Sequence, residues 1–394
     1  MRILFLSFYY EPDLSAGSFR ATALVKALRQ ILPPESHIDL LTTVPNRYSS
    51  FNIAAQSVED QGVVTIRRIL LPAHKSGMRD QSKAFLAYAR EVRAYVKDKK
   101  YDLVLATSSR LMTAVLGTYI ARSHKVPLYL DIRDIFVDTI QDILPSWLAW
   151  PIGRTFALLE RYAIGYASKV NLVSPGFEQY FSSRYPRQIF SFFSNGVDDQ
   201  FNVSFGATES ETNSEPPYKV LYAGNIGEGQ GLHAILPGLA RAMRGQANFT
   251  VIGDGGRKEQ LQSELEKSGV DNVVLCEPAS RSSLVQAYLE ADVLFLHLND
   301  HDAFRKVVPS KIFEYAATGK PIWAGVAGYS EVFFAQEIHN CAVFPPCNVA
   351  AAVDAFTRLQ VKSVPRLDFV QKYQRTSIMQ KLAEDIVKVG LKVQ

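Results

Sequence analysis

Short apolar runs alternate along the chain with longer stretches in which apolar residues return every three or four positions. In the first half, the runs at 2–8, 38–43, 63–69, 102–107, 127–132 and 169–174 are too short for helices and read as strands. Between them, 16–31 brings Ala23, Leu24, Ala27, Leu28 and Ile31 onto one face, and 82–100 and 111–123 behave alike. The pattern restarts with strands at 219–223, 249–252, 273–276, 293–296 and 321–324, and helices at 232–244, 256–268, 281–290 and 310–318. This βαβα order requires a parallel sheet covered by helices on both faces, once in each half. Residues 206–217, GATESETNSEPP, are polar, acidic and without period, and read as a linker. The organisation expected is a domain over 1–200, a linker over 201–217 and a second domain over 218–365. Helices over 366–394 are expected to close the chain and pack back toward the first domain. Two such halves predict a cleft, with ligands outside the carboxyl ends of the strands.

Composition narrows the class. The chain has 394 residues, 43 Lys+Arg, 39 Asp+Glu and three cysteines, Cys276, Cys341 and Cys347. An odd cysteine count in a large chain argues against a disulfide framework, and the spacing matches no zinc site. A net charge of +4 is too mild for a nucleic-acid partner. The best apolar stretch, 103–121, is broken by Ser108, Ser109 and Arg110, whereas a span needs about 20 uninterrupted apolar residues. The opening RILFLSF meets Glu11 and Asp13 at once and reads as a first strand rather than a signal peptide. A cytoplasmic enzyme is the expectation. The charge is unevenly spread: residues 1–190 hold 24 Lys+Arg against 16 Asp+Glu, the remainder 19 against 23. A basic first half suits an anionic membrane surface or a lipid diphosphate.

The loops after the strands carry the candidate chemistry. YYEPDLSAGSFR at 9–20 places Gly17 at a helix start, where N–H groups and the helix dipole suit a phosphate, with Arg20 in reach of the same anion. A turn glycine with a solvated arginine is the alternative. Gly224, Asn225, Gly227, Gly229, Gln230 and Gly231 follow another strand, and so do Gly253 and Asp254. Such glycines permit close approach of backbone to a ligand, or mark a tight turn. In HLNDHDAFRKVVPSKIFEYAATGKP at 297–321, Pro309 opens a helix with Ser310 and Lys311 in its first turn. Glu314 lies on their face, where a carboxylate can accept from the vicinal hydroxyls of a ribose or pair with Lys311. His297, His301 and Asp302 lack further ligands at metal spacing. Asp131, Arg133 and Asp134 end a first-half strand, as a candidate base with its partners or as a structural ion pair.

These segments, with DIRDIF at 131–136, SPGFEQY at 174–180, SNGVD at 194–198, YAGNIGEGQGL at 222–232, VIGDG at 251–255 and VPSKIFEYAATGKPI at 308–322, resemble family 4 of the retaining nucleotide-sugar glycosyltransferases. The similarity runs almost end to end and points to the branch with amino-sugar (L-fucosamine-type) transferases of bacterial O-antigen and capsule synthesis. It implies the α/β GT-B fold, two Rossmann-like domains whose parallel sheets face each other across a cleft. By the same resemblance, Glu314 matches the second glutamate of the E-x7-E motif and holds the donor ribose, Ser310 and Lys311 meet the diphosphate, and Gly17 and Arg20 match the N-terminal glycine loop. Arg133 and Asp134 occupy the acceptor-side region, and 277–280, with Pro278, lie beside the base. The chain departs from the family at three places. Lys306 replaces the first glutamate, Asn225 and Gln230 replace the usual Arg and Lys, and Arg133 replaces a histidine. Arg20, Arg305, Lys306 and Lys311 are the cations expected to compensate.

The resemblance implies sugar transfer, with retention, from a nucleotide diphosphate sugar, UDP-linked by preference. Cations and N–H groups stabilise the leaving diphosphate in place of a metal. Asp134 or a donor phosphate oxygen takes the acceptor proton, and the implied acceptor is a lipid-linked saccharide at the inner leaflet. Trp147 and Trp150, close to Arg154, are candidates for an interfacial contact, with core packing as the alternative. A nucleotide-sugar 2-epimerase, a dehydrogenase and a non-catalytic sugar-nucleotide-binding subunit are the competing readings.

Overall fold

The computed structural model describes residues 1–45, 55–72, 78–108, 110–138, 146–204 and 215–391. The chain divides into two compact units, Met1–Asn195 with Thr376–Gln394, and Gly196–Arg375.

The first unit is built on an eight-stranded sheet. Its strands are β1 (Arg2–Leu6), β2 (His37–Thr43), β3 (Val58–Asp60), β4 (Val64–Ile69), β5 (Leu103–Ser108), β6 (Leu128–Ile132), β7 (Lys169–Leu172) and β8 (Phe190–Ser191). Their order is β3-β4-β2-β1-β5-β6-β7-β8, parallel throughout except for β3 against β4. Helices α1 (Ala16–Ile31), α2 (Met78–Val96), α3 (Leu111–His124) and α4 (Ser146–Tyr166) lie among these strands in the chain. One core joins Ile3, Phe5, Leu40 and Leu105 of the sheet to Leu24 and Leu28 of α1. Met379, Leu382 and Ile386 of the helix Arg375–Leu391 complete the same core. That helix is also tied by Asp385, which accepts from Tyr129 and Lys169.

The second unit holds a six-stranded parallel sheet, β9 (Tyr218–Ala223), β10 (Ala247–Ile252), β11 (Val273–Cys276), β12 (Val293–His297), β13 (Ile322–Gly325) and β14 (Cys341–Phe344), in the order β11-β10-β9-β12-β13-β14. Along β9, Val220 and Tyr222 enter one core while Leu221 and Ala223 enter the other. Both faces are buried, which is why the strand reads as a continuous apolar run.

The unit begins earlier than a boundary at 200 would place it. Val197 and Phe201 are buried in its core, the latter stacked on Tyr288 at 5.8 Å. Val197 pairs with Gln374, so the segment 366–375, carrying core residue Phe369, also belongs here. Three edge strands, β3, β8 and β14, have no counterpart in the periodicity; β3 and β8, of three and two residues, are too short to show a period of two.

Candidate functional site

In the second unit, the loops after β9 and β10 close on each other. The amide of Gly224 donates to Ile252 O (2.8 Å), that of Ile226 to Asp254 O (2.8 Å), and that of Arg257 to Ile226 O (2.9 Å). Gly253 and Gly255 have φ of +156°, and a Cβ at either would overlap the backbone of the facing loop. These glycines therefore let two loops approach each other, and the Gly224 and Ile226 amides are spent there rather than offered to a phosphate. The Asp254 carboxylate accepts from the Gly255 amide, tightening the same turn.

The cation at this loop comes from elsewhere. The helix Lys311–Ala317 starts after Ser310, whose hydroxyl makes no capping bond. Lys311 Nζ donates to Tyr222 Oη (2.7 Å) and lies 4.0 Å from the centre of that ring. Tyr222 in turn donates to Asn225 O (2.6 Å), and Asn225 Nδ2 to Gln230 Oε1 (2.7 Å). The two amides standing where the resemblance expects cations thus hold each other. The Lys311 ammonium occupies the space that a side chain at Gly224 would need. Desolvation pulls its pKa down to about 7, partly opposed by the Glu314 carboxylate.

Glu314 does not pair with Lys311. Its Oε1 accepts from Arg281 Nη1 (2.9 Å) and its Oε2 from Tyr288 Oη (3.2 Å). Arg281 Nη2 continues to Asp198 (2.9 Å), which also takes Arg375 Nη1 (2.9 Å). Burial works against the Arg281 charge, but Glu314 and Asp198 outweigh it and raise its pKa. Each oxygen of Glu314 has a second lone pair, so the carboxylate can still accept from a diol.

The remaining candidates separate. Arg305 is exposed and pairs with Asp300 and Asp302. Lys306 is half-buried at the end of the turn Asp302–Lys306, and Pro278 is half-buried in the loop after β11. His297, buried, bonds Gln230 O through Nδ1 (2.7 Å) and accepts from the Cys347 amide at Nε2 (2.9 Å). That neutral tautomer clamps the glycine loop, and burial moves its pKa down to about 4. Among the described residues no three His, Cys, Asp or Glu gather as a metal site.

In the first unit, the structure corrects two assignments. Arg20 is only 2% exposed. Its Nε and Nη2 grip both oxygens of Asp131 at 2.8 and 2.9 Å, and its Nη groups donate to the carbonyls of Ser194 and Phe193. Asp131 also accepts from Asn171 (2.7 Å). Burial alone would raise the Asp131 pKa; the Arg20 guanidinium outweighs it and holds the carboxyl below the usual range. Arg20 and Asp131 form a buried ion pair whose polar atoms are taken up within the unit. Gly17 and Arg133 do come together, for a Cβ on Gly17 would lie 3.1 Å from Arg133 Nη1. Asp134 is exposed beside them in sequence. Trp150 is 66% exposed with the Arg154 guanidinium 4.9 Å from its ring, so it is no core residue. The side chain of Trp147 lies outside the described residues.

Residues 20–190 match the family described as Glycosyl transferase 4-like domain, and residues 207–374 match Glycosyl transferases group 1. The chain belongs to the family 4 glycosyltransferases. A stretch of 113 residues is 28% identical to a protein of Escherichia coli K12 named as a colanic acid biosynthesis glycosyl transferase, WcaI. That match covers 29% of this chain and 28% of the relative. Among solved structures, sucrose-phosphate synthase from Thermosynechococcus elongatus is similar over 100% of this chain and 97% of its own, with a TM-score of 0.68 and 14% identity. Anabaena HepE in complex with UDP-glucose gives 0.62 and 16%, over 100% and 98%. WaaG, involved in lipopolysaccharide biosynthesis, gives 0.63 and 14%, over 99% and 98%. At these identities the structures establish the GT-B fold.

For a GT-B glycosyltransferase, the second unit then offers two groups one helical turn apart. Lys311 is a cation of adjustable charge, and Glu314 is a carboxylate held by Arg281 and Tyr288. Sequence reasoning passed over Arg281. The signal was an arginine in the first turn of a helix, where the dipole disfavours a cation unless a carboxylate is waiting for it.

Proposed function

We propose that this glycosyltransferase moves a sugar, with retention of configuration, from a nucleotide diphosphate donor, UDP-linked by preference, to a lipid-linked saccharide in bacterial surface polysaccharide synthesis. The reading includes action in the cytoplasm, peripheral contact with the inner face of the membrane through the first half, and no need of divalent metal. The observation that carries it is the Lys311–Glu314 turn, which sets an ammonium and a carboxylate with spare lone pairs one helical turn apart. Lys311 stabilises charge on the departing diphosphate, and the ribose hydroxyls donate to Glu314. Either Asp134 or a phosphate oxygen receives the acceptor proton. The UDP-glucose bound in HepE supports the choice of donor, and the lipopolysaccharide and colanic acid biosynthesis named for WaaG and WcaI support a polysaccharide product. Among the described residues no helix is long and apolar enough to cross a membrane.

Incubation with a panel of nucleotide sugars and membrane-extracted lipid saccharide, in the presence of EDTA, tests the reading. Nucleoside diphosphate release from one donor, with the donor's anomeric configuration kept in the product by NMR, is expected. Inversion, sugar interconversion without acceptor, or loss of turnover in EDTA each overturns a named part. Glu314→Ala is expected to raise the Kd for the nucleoside diphosphate by about 5–150-fold, equivalent to about 1–3 kcal/mol. Calorimetric titration of variant shown to be folded by circular dichroism measures it, and an unchanged Kd rejects the ribose contact.

A further inference from the structure

The first unit carries an apolar groove that the transfer chemistry leaves unused. Its 440 Å³ volume is lined by Phe85 and Leu86 of α2, Met112, Val115 and Leu116 of α3, and Leu159 of α4. Among the described residues lining it, Arg93 is the one charged group, and it donates to Tyr119 Oη across the groove (3.3 Å). Large apolar side chains stand exposed on the same three helices: Leu86 (68%), Tyr119 (45%), Trp150 (66%) and Leu158 (68%). Scattered single leucines need no explanation, but several around one groove make a patch.

The charges around that patch have one sign. On α2, Leu86 is followed at helical spacing by Arg90 and Arg93; on α4, Leu158 sits between Arg154 and Arg161. All four arginines are exposed. Helices α2, α3 and α4 together contain seven Lys/Arg and three Asp/Glu in sequence. One of the three, Glu160, is buried and bonded to Tyr180 and Tyr185 rather than facing solvent. Apolar side chains flanked one turn away by guanidinium groups match a surface whose interior is hydrocarbon and whose boundary is anionic.

We propose that the α2–α3–α4 face docks on an acidic phospholipid bilayer, with Leu86 and Leu158 entering the acyl region, an acyl chain in the groove, and Arg90, Arg93, Arg154 and Arg161 on lipid phosphates. It specifies the surface for the peripheral contact included in the proposed function. Its test uses no donor or acceptor, so failure here and failure of the transfer reading are told apart. The full chain is sedimented with vesicles of phosphatidylglycerol and phosphatidylcholine mixed, and of phosphatidylcholine alone. The wild type is expected to bind the acidic vesicles at least about tenfold more strongly, with the preference shrinking as salt rises. Leu86→Ser/Leu158→Ser is expected to weaken that binding about tenfold or more. Arg90→Gln/Arg93→Gln/Arg154→Gln/Arg161→Gln should abolish the preference for acidic lipid. Leu86 and Leu158 are exposed, so their replacement leaves the fold intact, which a thermal melt checks. Absence of wild-type binding, or binding unchanged in Leu86→Ser/Leu158→Ser, overturns the proposal. So does a wild-type dimer that this variant splits into monomers, because a second copy would then cover the face.

Discussion

Lys311→Met is expected to lower kcat about 100–1000-fold while raising the melting temperature of the protein. On the proposed role, the kinetic loss follows from removing the cation that faces charge developing on the leaving diphosphate, at a partly desolvated position. The gain in stability follows from the same desolvation. Burial moves the Lys311 pKa down to about 7, well below its ordinary value, so below pH 7 the folded chain carries an ammonium it would hold more comfortably unfolded. Stability from this site therefore rises as pH climbs from about 7 toward the unfolded value, and methionine removes the deficit. Activity has the opposite dependence. A charged amine is needed, so kcat/KM should fall above about pH 7, and that alkaline limb should be missing from the residual activity of Lys311→Met. Bound diphosphate favours the ammonium, so calorimetry at pH 8 in buffers of different ionisation enthalpy should show proton uptake on nucleotide binding. A structural lysine gives the contrary set of results: lower melting temperature, modest loss of rate and no pH limb. The purified protein with saturating donor and acceptor is enough to distinguish the two.

The sequence shows most of the fold because both sheets are buried on both faces. Most of the eleven strands legible as apolar runs lie inside the sheets for that reason, whereas β3 and β8 are edge strands of only three and two residues. The site was harder to read. Lys311 and Glu314, three residues apart on a helix, invite pairing with each other. Tertiary structure gives each a distant partner instead: Tyr222 is 89 positions from Lys311, and Arg281 is 33 from Glu314. No local spacing contains those distances. The glycines carry a different ambiguity, since a glycine needed for loop-on-loop contact looks in sequence like one needed for ligand contact. At Gly253 the neighbouring obstacle is the Gly224 carbonyl, a chain segment 29 positions away. Arg20 was readable from its own helix: it occupies the stripe that continues through Leu24 and Leu28, both buried. An arginine on the inward face of an amphipathic helix implies a buried carboxylate before it implies a ligand.

That buried pair sets the second large effect. Arg20→Ala is expected to destabilise the first unit by about 3–5 kcal/mol, because it strips the guanidinium from both oxygens of the buried Asp131 carboxylate and leaves Asn171 and the charge of Arg133 as weaker support. Arg20→Lys should recover only part of this, since an ammonium cannot match both carboxylate oxygens while also reaching the Ser194 and Phe193 carbonyls. Asp131 stays ionised below the usual carboxylate range, so the pair's contribution is complete above about pH 4 and fades on further acidification. In Arg20→Ala it should instead improve on mild acidification, as protonating the orphaned carboxyl relieves the unpaired charge. Urea unfolding followed by tryptophan fluorescence and far-ultraviolet circular dichroism, for the wild type between about pH 5 and pH 3 and for Arg20→Ala between about pH 7 and pH 5, reads the two trends. The same variant decides between the two roles open to this arginine. Were Arg20 a donor-phosphate cation, its loss would leave stability near wild type and weaken nucleotide binding. The geometry demands the reverse, a chain that unfolds early yet binds nucleoside diphosphate with wild-type affinity at temperatures where it is folded.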